Sequence, residues 1–189
     1  MEDQSAIVND SNQYLTFTLG DEDYALEISK VSEVLDYMKI TRVPRMPPFL
    51  RGVINLRGNV VPVIDLRLKL EMSAIQRTVD TCIVIVEVDM DGEIVHMGAL
   101  ADSVKEVVAL DGSQIAPPPR FGMRLNTEFI KGMGRQDDDF LIILDIDRVL
   151  SSEELAAVCE AGEETDTEGM PPQGVEEPGQ SAAAASAAS

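Results

Sequence analysis

The chain has no tryptophan, one histidine and two cysteines in 189 residues, and aromatic residues make up only 4% of it. Valine, isoleucine and leucine must therefore fill the core, and their short runs favour strands over long helices. With one histidine, His96, a metal centre or a Ser-His-Asp triad would have to rest on that residue. It lies in a strand-like run with no acid or thiol cluster at ligand spacing, and reads as a strand-face residue. Cys82 and Cys159 are too few and too differently placed for a disulfide framework, which fits a reducing compartment. No run of 18 apolar residues exists, so no membrane-spanning helix is expected. The N-terminus, MEDQSAIVNDSNQ, lacks the pattern of a secretion signal, and a soluble, cytoplasmic protein is expected.

Basic residues are missing from both ends. All fifteen Lys and Arg lie between residues 13 and 150, against 22 acids in the same span. Residues 1–12 carry three acids and no base, and residues 151–189 nine acids and no base. A chain with formal charge −19 and no basic face is a poor ligand for nucleic acid or for an anionic membrane surface. No Walker loop, nucleophile elbow or paired catalytic carboxylates occur, so nothing supports an enzyme, a cofactor or a metal. Asp89-Met90-Asp91-Gly92 opens like a calcium loop, but the position requiring a bidentate Glu is Leu100, and a hairpin turn is the expected reading. Asp137-Asp138-Asp139 reads as a solvated turn. Gly132-Met133-Gly134 lacks the third glycine of a dinucleotide fingerprint. Pro44-Arg45-Met46-Pro47 fits a chain crossing between strands.

What is present is a phrase used twice. RGVINLRGNVVPVIDLRLKL (51–70) aligns with KGMGRQDDDFLIILDIDRVL (131–150) at an offset of 80, pairing Gly52 with Gly132, Asp65 with Asp145 and Leu70 with Leu150. Upstream, at an offset of 73, Val31-Ser32-Glu33-Val34 matches Val104-Lys105-Glu106-Val107. A duplicated half of roughly 70 residues predicts two similar lobes with a groove between them, and a binding role. Strands are expected at 13–19, 24–28, 38–43, 52–56, 59–66, 82–88, 93–99, 105–110, 129–133 and 140–146, with a short helix at 65–71. For 28–35 a helical spacing and a bent strand both fit. Ser151-Ser152-Glu153-Glu154 has the form of a capping box, which predicts a short helix to about Glu160, stopped by Gly162. The composition of 162–189 cannot offset its ordering entropy, so an acidic, Ala-rich disordered tail is expected, with a flexible stretch at 1–12. The folded domain is then 13–161, all-β with minor helices, and closed barrels would answer the problem of exposed strand edges. Arg57, at a turn between two apolar strands, is either an ordinary exposed cation or, if a carboxylate holds it, an interface anchor.

RGVINLRGNVVPVIDLRLKL, together with FTLGDEDYALEISKVSEVL, MGALADSVKEVVAL, QIAPPPRFG, TEFIKGMG and FLIILDIDRVLSSEEL, resembles the CheW family of bacterial chemotaxis coupling proteins over about residues 13–158. The resemblance implies two pseudo-symmetric, SH3-like five-stranded β-barrels packed side by side. It implies a non-catalytic scaffold, recruited to membrane-associated receptor arrays, that links the cytoplasmic tip of methyl-accepting chemoreceptors to the regulatory domain of the histidine kinase CheA. An alternative is an adaptor in a chemotaxis-like two-component pathway with an output other than swimming. Carried over residue by residue, an interface ion pair falls on Glu33 and Arg57. A receptor groove falls on Ile28, Val31, Gly98, Val104 and Val107, and a kinase-facing edge on Ile40, Val43, Asn59 and Val60. The acidic tail is longer than the family needs.

Overall fold

A computed structural model describes residues 12–118 and 127–167. The expectations for 1–11, 119–126 and 168–189 lie outside these residues. Among the described residues, eleven strands form two sheets. The first lobe contains β3 (Val31–Asp36), β4 (Leu50–Leu56), β5 (Asn59–Asp65), β6 (Cys82–Met90) and β7 (Glu93–Ala101), in the order β3-β6-β7-β5-β4. The second contains β1 (Asn12–Leu19), β2 (Glu22–Glu27), β8 (Ser103–Leu110), β9 (Ile115–Ala116), β10 (Ile130–Gln136) and β11 (Asp139–Leu144), in the order β8-β1-β2-β11-β10-β9. The N-terminal hairpin is thus donated to the second lobe.

The repeat in the sequence is a repeat in the backbone. Hairpins β4–β5 and β10–β11 each shift register at the same place, between Leu50 and Gly52 and between Ile130 and Gly132. The second strand of each hairpin makes a parallel pairing with its sheet, β5 with β7 and β11 with β2. Asp65 then caps α1 (Leu66–Lys69), accepting from Arg67 N and Leu68 N, and Asp145 caps α2 (Ile146–Val149), accepting from Asp147 N. Gly52 has φ +137, and a Cβ there would stand 2.0 Å from the Thr41 carbonyl oxygen. The glycine lets the preceding segment cross the strand at close range. Thr41 and Val53 exchange both backbone hydrogen bonds at that crossing, each at 2.8 Å.

That crossing corrects one expectation. Residues 38–43 are not a strand, since only Thr41 makes a ladder contact before Pro44. The equivalent segment of the second lobe extends only to the two-residue β9, paired with β10. The ambiguous stretch 28–35 is a 3-10 turn (Ile28–Lys30) running into β3. The final helix, α3 (Ser152–Thr167), starts with the expected capping box: Glu154 N donates to Ser151 Oγ and Ser151 N to Glu154 Oε2. It runs through Gly162 to Thr167, past the expected stop. A glycine inside a helix costs about 1 kcal/mol relative to alanine, which weakens a helix without ending it.

Three apolar clusters hold the fold. Ile54, Val61, Val63, Ile83 and Ile85 form the interior of the first lobe, and Tyr14, Ala25, Leu110, Leu141 and Ile143 that of the second. The largest cluster lies between the lobes. There Phe17, Leu19 and Leu26 of the second lobe meet Val84, Val86 and Val88 of the first, with Leu155 and Val158 of α3. β6 shows the logic: Ile83 and Ile85 face their own lobe, whereas Cys82, Val84, Val86 and Val88 face the neighbour. A strand buried on both faces needs an unbroken apolar run, and CIVIV supplies it. The lobes consequently share a core.

Candidate functional site

The tip of the β4–β5 hairpin is a two-residue turn, with Arg57 at φ +52 and Gly58 at φ +88. Positive φ at both positions matches the right-handed twist of the flanking strands. Asn55 Oδ1 accepts from Gly58 N at 2.9 Å and fastens the turn. Asp91 and Gly92 repeat this turn in the β6–β7 hairpin, where Asp89 Oδ1 accepts from Gly92 N at 2.8 Å. The calcium-like phrase is therefore a hairpin device.

The turn presents Arg57 to Glu33 on the edge strand β3. Nη1 donates to Oε1 at 2.7 Å and Nη2 to Oε2 at 2.9 Å, a two-pronged pairing that fixes the plane of the guanidinium. The hydrogen bonds from Arg57 hold the Glu33 carboxyl below its usual range. The Arg57 side chain is 73% exposed and that of Glu33 24%. Such a pair contributes little to stability; its effect is to hold an exposed arginine in one orientation.

This pair stands at the lip of a recess of about 540 Å³. Asn59, Val60, Pro62, Ile85 and Ile94 line it, with His96 on one side and Cys159 of α3 on another. His96 faces Glu87 across the β6–β7 ladder, 3.6 Å away. The recess unites Glu33 and Arg57 with two of the four expected kinase-facing residues, Asn59 and Val60. The other two lie elsewhere: Ile40 packs on the first-lobe cluster and Val43 on the inter-lobe cluster. The wall supplied by α3 was not visible in the sequence, because Cys159 is about a hundred residues from the turn it approaches.

The expected groove residues are mostly where the repeat puts them. Val31 pairs with Val86 and Val104 with Phe17, and each stands beside a register shift in its ladder. Ile28, Val31 and Val104 are half-buried against the inter-lobe cluster, and Val107 is exposed on the edge strand β8. Val34, the repeat partner of Val107, is likewise exposed on the edge strand β3. Gly98 lies elsewhere. It is buried in β7 of the first lobe, and a Cβ there would meet Ile83 Cγ2 at 2.9 Å and Val63 Cγ2 at 3.1 Å. It serves packing inside that lobe.

The CheW-like domain family matches residues 13–154. The chain belongs to the CheW family. It is 40% identical to the chemotaxis protein CheW of Klebsiella aerogenes over 146 residues, covering 77% of this chain and 86% of that one. It is 33% identical to the chemotaxis protein CheW of Helicobacter pylori over 141 residues, covering 75% and 82%. The crystal structure of the scaffolding protein TtCheW from Thermoanaerobacter tengcongensis superposes with a TM-score of 0.68 at 34% identity, covering 76% of this chain and 97% of that one. This CheW-family chain is a chemotaxis scaffold, and the family's role is non-catalytic. Among the described residues no helix is long and apolar enough to cross a membrane.

Proposed function

We propose that this CheW-family chain couples the cytoplasmic tip of methyl-accepting chemoreceptors to the regulatory domain of the histidine kinase CheA, within arrays at the membrane. The kinase-facing site is the first-lobe recess with Glu33, Arg57, Asn59 and Val60 on its rim. The receptor-facing site is the groove flanked by Ile28, Val31, Val34, Val104 and Val107. The observation that carries this reading is the two-pronged Glu33–Arg57 pair, an exposed arginine held rigid beside a half-apolar recess. Oriented arginines beside apolar pockets are recurrent anchors of protein interfaces. Strand edges bearing exposed valines at equivalent positions suit a long apolar partner on the other face.

The test is Arg57→Ala. The variant is expected to melt with the wild-type protein, because it loses only an exposed pair. It is expected to lose receptor-dependent kinase activation by about tenfold or more, as an interface anchor would. Normal activation by a well-folded Arg57→Ala protein would return Arg57 to the status of a turn cation.

A further inference from the structure

The same repeat position is used twice to tie the lobes together, with the charges exchanged. In α1, two residues beyond the capping Asp65, Arg67 donates from Nη1 to Asp102 Oδ2 at 2.5 Å. Gly20 N, at the tip of the β1–β2 hairpin of the other lobe, donates to the same oxygen at 2.7 Å. In α2, two residues beyond the capping Asp145, Asp147 Oδ2 meets Lys30 Nζ at 2.7 Å. Its Oδ1 accepts from Asp89 N, near the tip of the β6–β7 hairpin of the other lobe, at 2.9 Å. Each clasp thus has one carboxylate that gathers a cation and a hairpin amide from across the lobe boundary.

Both clasps close on a crossover that feeds a groove strand. Lys30 immediately precedes Val31, and Asp102 lies two residues before Val104. The two differ in shelter. The Arg67 and Asp102 side chains are 10% and 21% exposed, those of Lys30 and Asp147 29% and 31%. The first clasp is thus the more sheltered of the two.

We propose that Lys30 and Asp147 are positioning residues for the receptor-facing groove: their clasp sets where Val31 stands relative to Val104. This rests on the groove being the receptor site. Neither side chain needs to touch the receptor.

The experiment compares Lys30→Asp, Asp147→Lys and the exchanged double variant, in the full chain. Affinity for a soluble receptor tip, affinity for the kinase regulatory domain, and the amide resonances of Val31, Asp89 and Val104 are measured for each. Each single reversal is expected to weaken receptor binding about tenfold, and the exchange to restore it to within about threefold, the behaviour of a coupled pair. Kinase affinity should hold, and the Val31 and Asp89 resonances should move in the single variants and return in the exchange. An exchange no better than the worse single variant would overturn the proposal, because Lys30 would then be contacting the receptor itself. Single variants that bind receptor normally would overturn it too. If a reversal does not fold, Lys30→Met and Asp147→Asn supply the same comparison, with an expected loss of about threefold in receptor affinity. A wild-type protein that binds no receptor tip would sink the groove reading; the resonances then decide the clasp, and an unmoved Val31 rejects it.

Discussion

The two lobes share a backbone and differ at their tips. In the first, the β4–β5 turn carries Arg57, and the edge strand beside it carries Glu33. In the second, the repeat partners of these residues are Asp137, also at positive φ, and Glu106. Two acids cannot pair, so the second tip presents Asp137, Asp138 and Asp139 with an exposed Phe140, where the first has Val60 in a recess. Duplication has kept what folding needs: the register shift, the crossing glycine and the capping aspartate. It has let go of what only a partner would read. Residues that differ between otherwise matched lobes are therefore where binding specificity should be sought.

The largest expected effect tests whether the lobes are separable at all. Phe17 is fully buried in the inter-lobe cluster and stacks near Tyr24, ring centroids 6.0 Å apart. Phe17→Ala should cost about 3–5 kcal/mol, with one urea transition for the whole chain. Two resolved transitions would mean that the lobes fold independently and that the comparison is between two domains.

A smaller effect compares the lobes at their crossing glycines. At Gly52 an added methyl group meets the Thr41 oxygen at 2.0 Å in a left-handed backbone. At Gly132 the nearest atoms are Ile115 Cγ2 at 2.8 Å, part of a side chain that can turn, and the Ala116 oxygen at 3.0 Å. Gly132→Ala should cost about 1–3 kcal/mol and Gly52→Ala clearly more. Equal losses in thermal melts would erase the asymmetry inferred for the two crossings.

The smallest effect concerns the pair that the second lobe lacks. Glu33 has its carboxyl held below the ordinary range by Arg57. A lowered folded-state pKa adds stability that is fully present above the unfolded value and is lost as pH falls through the folded one. The difference in melting temperature between wild type and Glu33→Gln should therefore be slight at neutral pH and vanish in acid. A difference that grows on acidification would have the wrong sign for this pair.

Much of this architecture was legible in the chain, because the repeated phrase marks backbone needs. Gly52 and Gly132, Asp65 and Asp145, and the two hairpins fell where the offset of 80 put them. What the repeat left open was which sheet each hairpin joins. A hairpin looks the same whichever sheet it joins, and the pairings of β1 with β8 and of β2 with β11 assign β1–β2 to the second lobe. Residues 38–43 have strand composition, but the chain crosses the sheet there and makes one ladder contact. The wall that α3 gives the recess depends on packing across the whole fold, which no local pattern records.

The donated hairpin also sets an order of events during synthesis. The first lobe is complete once Ala101 has been added, since all five of its strands are then available. The β1–β2 hairpin is made before any of them, yet its parallel partner β11 is added last of all the strands. Phe17, Leu19 and Leu26 therefore lack a completed second sheet until Leu144 has been added, although their inter-lobe partners on β6 are made earlier. The shared core thus joins the earliest-made hairpin to β11, and it closes only when Leu144 has been added.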